Sequence, residues 1–216
     1  SPLALGGLTK GVSPLEMASA YGVLANKGIR VEPIAILKVT DYHGKVLEEN
    51  TPRKEVVLSE ETAYIMTDLL RGVIERGTAR AANINRPAAG KTGTNQENRD
   101  AWFVGYTPEL VAAVWFGEDI PKPMVYQGVQ YGSWSATPIW KEFMMEALKN
   151  TPISDFKRPD GIVEVEIDVK TGLLVPENCT LPKDEIRTEI FIKGTEPTEY
   201  SPRCSTTSLW DFTLFR

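Results

Sequence analysis

The chain is poor in the side chains that build metal sites. Its 216 residues hold one histidine and two cysteines. His43 stands far from Cys179 and Cys204, and the paired-cysteine spacing of zinc sites is missing, so no metal is expected. There is no basic block and no aromatic-basic alternation, and the net charge is −5, which together argue against a nucleic-acid partner. The longest unbroken apolar run, residues 110–116, is too short to cross a bilayer, so no transmembrane or signal segment is expected among these residues. An initiator methionine is missing too. The opening Ser-Pro-Leu is what a piece of a longer protein would show.

What remains is ordinary globular composition, 42% apolar and 25% charged, enough for one sizeable core plus a small appendage. The two cysteines leave two readings open: a disulfide, suited to an oxidising compartment, or two free thiols.

Ser13-Pro14-Leu15-Glu16 joins an N-cap serine, a proline at the first helical position and a glutamate closing a capping box. An amphipathic helix follows, ended by Gly28. Residues 34–40 and 45–48 read as strands around the turn Asp41-Tyr42-His43-Gly44, which makes His43 a solvated turn residue. Ser59 caps a second helix with a core stripe of Ile65, Met66, Leu69, Leu70, Val73 and Ile74, stopped at Gly77. The loop 77–87 carries Arg76, Arg80 and Arg86 at or near it as solvated charges.

Three strand candidates come next: residues 90–94, 102–106 and 110–116. The last is apolar on both faces, as a central strand covered on both sides would be. Thr137 and Pro138 read as the cap of a third helix, with a stripe of Trp140, Phe143, Met144, Ala147 and Leu148. These elements point to an α/β (α+β) architecture, an antiparallel sheet packed by helices, over residues 1–152. Residues 157–216 read as a small β-rich C-terminal extension. In it Val163, Val165, Ile167 and Val169 alternate with Glu164, Glu166 and Asp168, and the final dozen residues are expected to be poorly ordered.

The chemistry concentrates in Gly90-Lys91-Thr92-Gly93-Thr94. Its glycines let another backbone approach closely, and it offers a cation and two hydroxyls to an anionic group. Two look-alikes lack this context. Lys170-Thr171-Gly172 sits where a strand turns, and the lysine of Ser154-Asp155-Phe156-Lys157 precedes Arg158-Pro159, which no nucleophile-bearing helix tolerates.

Taken in order, residues 3–7 (Leu-Ala-Leu-Gly-Gly), the helix 13–28, Gly-Thr-Ala at 77–79, the segment 90–94, the run 100–106 and Pro138-Ile139-Trp140 resemble the transpeptidase domain of class A penicillin-binding proteins. Asn178-Cys179 and Gly194-Thr195-Glu196-Pro197 are similar to the C-terminal extension of such enzymes.

The resemblance implies a serine D,D-transpeptidase that attacks the D-alanyl-D-alanine end of peptidoglycan stem peptides, passes the acyl group to a neighbouring amine, and is inhibited by β-lactams. It implies that Lys91 orients and polarises the site. Thr92 and Thr94 would bind the substrate carboxylate, Gly93 would keep the strand open, and the Thr94 backbone N–H would be an oxyanion donor. No cofactor is implied. The location implied is the extracytoplasmic face of the bacterial cell membrane, with a membrane anchor and a glycosyltransferase domain elsewhere in the protein.

A β-lactamase, a D,D-carboxypeptidase and a non-catalytic module with the same fold remain rivals. The serine-x-x-lysine and serine-x-asparagine motifs of the family do not occur before residue 90, so the nucleophile is expected from the N-terminal remainder of the same protein. Labelled penicillin incubated with the 216-residue chain alone is therefore expected to leave no covalent adduct, and a stoichiometric adduct would contradict this reading.

Overall fold

The computed structural model describes residues 11–94, 98–120 and 122–204. Residues 3–7 and the final dozen, on which the sequence raises expectations, lie outside them. The chain divides into two compact units, Ser1–Lys157 and Arg158–Arg216.

In the first unit, α1 (Pro14–Ala25) starts on the capping box: Glu16 N–H donates to Ser13 Oγ at 3.2 Å, and Ser13 N–H to Glu16 Oε2 at 2.7 Å. Two short strand pairs follow. β1 (Ile29–Val31) pairs with β4 (Lys54–Val56), and between them β2 (Lys38–Thr40) pairs with β3 (Val46–Glu49). The Asp41 carboxylate accepts the N–H groups of His43 and Lys45, each at 2.9 Å, and this closes the turn that exposes His43.

Helix α2 (Glu60–Glu75) buries Ala63, Thr67, Leu70 and Ile74, while Met66 is 43% and Leu69 60% exposed. Leu70 and Ile74 of the expected stripe are therefore in the core, whereas Met66 and Leu69 are outside it. A threonine holds a core position because its hydroxyl donates to Ala63 O at 2.8 Å and lies 2.9 Å from the Tyr106 hydroxyl. Burial raises the Tyr106 phenol well above its usual range, only partly offset by that bond to Thr67.

The loop after α2 also differs from expectation. It contains a 3-10 turn, Arg80–Ala82, and Arg86 is not solvated. The Arg86 side chain is 7% exposed, donates to the carbonyls of Leu148 and Pro152 at 3.3 and 2.8 Å, and faces Glu109 at 3.6 Å. A buried guanidinium with several fixed donors suits carbonyls left over at a helix end.

The main sheet has the order β5 (Ala89–Thr94), β6 (Asp100–Tyr106), β7 (Val111–Gly117), all antiparallel. Among the described residues β6 is the middle strand, and the apolar run expected to be central pairs on one side only. The two-sided apolarity has another cause, since α1 packs on β7 and so does α3 (Ser133–Ala147), which β8 (Val125–Tyr126) and β9 (Val129–Gln130) precede. Helix α3 begins earlier than expected and contains Pro138. Its buried stripe is Ala136, Trp140, Met144 and Leu148, with Phe143 and Ala147 outside it.

The second unit pairs β10 (Ile162–Asp168) with β11 (Ile186–Ile192) antiparallel over seven residues. Cys179 and Cys204 are joined by a disulfide, with Cα atoms 4.9 Å apart. Asp168, expected on the solvent side of its strand, is 0% exposed. Its carboxylate accepts from Ser201 Oγ at 2.7 Å, Lys170 N–H at 2.9 Å, Thr171 Oγ1 at 3.0 Å and Arg203 Nη1 at 2.7 Å.

Burial alone would raise the Asp168 pKa. The bonds from Ser201, Lys170 and Thr171 and the Arg203 charge outweigh it and hold the carboxyl at about 2. A lowered folded-state pKa stabilises above the ordinary carboxyl pKa of 3.8 and ceases to do so as pH falls through about 2. Hydrogen-exchange protection of the β10 and β11 amides should therefore fall between pH 4 and pH 2. In Asp168→Asn it should be lower at pH 7 and nearly flat across that window.

Candidate active site

Gly90 and Gly105 face one another across β5 and β6. A Cβ at Gly90 would lie 2.8 Å from the Val104 carbonyl oxygen and 2.9 Å from Phe103 Cζ. One at Gly105 would lie 2.7 Å from the Trp140 ring. Two aromatic rings thus lie against bare backbone. Phe103 and Trp140 meet edge to face with centroids 5.1 Å apart, and Trp140 Nε1 donates to Gly105 O at 3.1 Å. This packing fixes β5 relative to the core.

Strand β5 has β6 on one side and, among the described residues, no strand on the other. One row of its backbone groups is open to an added peptide strand. Alternation along the strand puts Thr92 and Thr94 on the face of Phe103 and Ala101, and Lys91 and Gly93 on the face of Val104 and Trp102.

Lys91 is exposed, and its Nζ donates to Thr92 O at 2.9 Å. Thr92 is half-buried, with Oγ1 3.3 Å from Thr78 Oγ1. At Gly93 a Cβ would lie 3.1 Å from Trp102 Cβ, so even a methyl there crowds the sheet. Thr94 is exposed and pairs with Ala101. Just beyond, Trp115 Nε1 donates to Asp100 Oδ1 at 2.8 Å and ties β7 to the start of β6.

The look-alikes go elsewhere. Lys170-Thr171-Gly172 forms a turn with Gly172 at φ +71°, and Ser154, outside any helix or strand, bonds Glu109. Thr78 is the contact that the sequence alone leaves without a role. Its Gly-Thr-Ala context is visible, but the meeting with Thr92 spans 14 residues and depends on how α2 ends. A cleft of about 730 Å3 lined by Leu15, Val23, Arg30 and Leu58 lies between α1 and β1, and none of its lining belongs to β5.

The family model described as penicillin binding protein transpeptidase domain matches residues 2–145. The chain belongs to that family. The match takes in α1, α2, β1 to β9 and most of α3. The model described as penicillin-binding protein 1A, C-terminal domain matches residues 158–205, which hold β10, β11 and both cysteines.

Penicillin-binding protein 1A of Aquifex aeolicus (strain VF5) is 41% identical over 196 residues, 90% of this chain and 26% of the relative. The protein of the same name from Clostridium tetani (strain Massachusetts / E88) is 42% identical over 193 residues, 88% of this chain and 24% of the relative. A solved structure of penicillin-binding protein 1A from Haemophilus influenzae superposes with a TM-score of 0.76 at 31% identity, covering 88% of this chain and 33% of that one. The chain therefore spans about a quarter of the length of these curated relatives.

The glycine packing gives a direct test. Gly90→Ala should cost about 1–3 kcal/mol, because backbone atoms occupy the space its methyl needs. A urea-unfolding midpoint equal to that of the parent chain would contradict the steric account.

Proposed function

We propose that this chain supplies the carboxylate-binding strand of a serine-type D,D-transpeptidase that cross-links peptidoglycan stem peptides through an acyl-enzyme. The observation that carries the reading is β5: a strand with β6 on one side and, among the described residues, no strand on the other, with Thr92 and Thr94 on one face. A peptide lying along β5 places its terminal carboxylate beside two hydroxyls. Lys91 adds positive charge nearby, which favours an anionic end group.

The Thr94 backbone N–H serves as one oxyanion donor, a contact typically worth about 10²–10³ in rate. The attacking serine comes from the N-terminal remainder of the protein, which is placed at the extracytoplasmic face of the bacterial membrane. β-Lactams, which present an acyl group and a carboxylate at similar spacing, occupy the same strand and acylate the same serine. Family membership and the match of the second unit to a penicillin-binding protein 1A domain support the synthetic enzyme over a β-lactamase.

The test uses the longer protein that contains the nucleophile. Lys91→Ala and Thr92→Val should each lower the second-order rate of acylation by labelled penicillin by roughly tenfold or more, the loss expected for a hydrogen bond to a charged group. Thermal midpoints should stay near the parent value, because both side chains reach the surface. Unchanged acylation in both variants would overturn the reading.

A further inference from the structure

We propose that Thr78 is a further substrate-binding residue, its hydroxyl joining that of Thr92 as a paired donor for the substrate's terminal carboxylate. The inference rests on the reading of β5 just given and extends the site to a segment outside the strand. The two Oγ1 atoms are 3.3 Å apart and either can donate to the other. A hydroxyl has one proton to give, so a bonded pair uses one between its members and directs the second outward. An arriving carboxylate can take both, one for each oxygen, and hydrogen bonds to a charged acceptor are stronger than the neutral one they replace.

Thr78 is held in place by its neighbours rather than by chance. A Cβ at Gly77 would lie 2.9 Å from Val73 Cα and 3.0 Å from Val73 O, so that residue is pressed against the last turn of α2. Ala79 is fully buried in the core with Phe103 and Trp140, and its N–H donates to Val73 O at 3.0 Å. Between a glycine that cannot grow and an alanine that cannot leave, Thr78 remains exposed with its hydroxyl aimed at β5. A threonine kept at the surface by such anchoring is spent on what arrives from outside. Fixing a donor beforehand also removes the ordering cost of binding.

The experiment compares benzylpenicillin with its methyl ester, which lacks the anionic carboxylate, on the longer protein carrying the nucleophile. Thr78→Val should slow acylation by the free acid roughly tenfold. It should leave the ester's rate unchanged, and Thr78→Ser should restore the acid's rate. Equal slowing of acid and ester, or no slowing of either, would overturn the inference. Thr92→Val is run alongside as reference. If it discriminates between acid and ester and Thr78→Val does not, Thr78 alone is misassigned. If neither variant discriminates, the reading of β5 fails and this inference with it.

Discussion

The contact on which the first unit depends is an indole lying on a glycine. Trp140 occupies the space that a side chain at Gly105 would fill, and Phe103 does the same beside Gly90. Both rings are fully buried. Removing an aromatic ring of that size from a core typically costs about 3–5 kcal/mol. Because the rings touch β5 and β6 through bare backbone, the position of β5 is set by core packing and not by its own side chains. That arrangement frees Lys91, Thr92 and Thr94 for the surface without loosening the strand.

The same separation of roles recurs around it. Ala79 and Ala82 bury themselves beside the rings, and Gly77 presses against α2, so the intervening Thr78 inherits a fixed position. Arg86 fastens the carbonyls that follow α3, keeping the chain's exit from the first unit next to Glu109. Small residues and one buried cation make the frame, and the hydroxyls hang on it.

Much of this was legible in the sequence because the signals were local. The Ser13 capping box, the Asp41 turn and the glycine-rich strand each involve residues within a few positions of one another. What escaped depended on partners far along the chain. The expected α2 stripe includes Met66 and Leu69 beside the buried Leu70 and Ile74 and omits Thr67, since nothing nearby shows that Thr67 meets Tyr106 39 residues later. Asp168 fits a solvent-facing alternation until Ser201 and Arg203 return from 33 and 35 residues away to satisfy it. Residues 110–116 read as central from apolarity alone, which reports coverage by helices above and below and says nothing of neighbours to either side.

An edge left open for one peptide is open to any other, including β5 of a second copy. Lys91 bears on that hazard as well. In an antiparallel pairing of two such strands centred on Lys91, the two lysines would stand opposite one another on one face, and like charges so placed disfavour that register. The charge proposed to favour a carboxylate would thus also disfavour that self-pairing, and a neutral residue at that position would remove the repulsion from a glycine-rich strand.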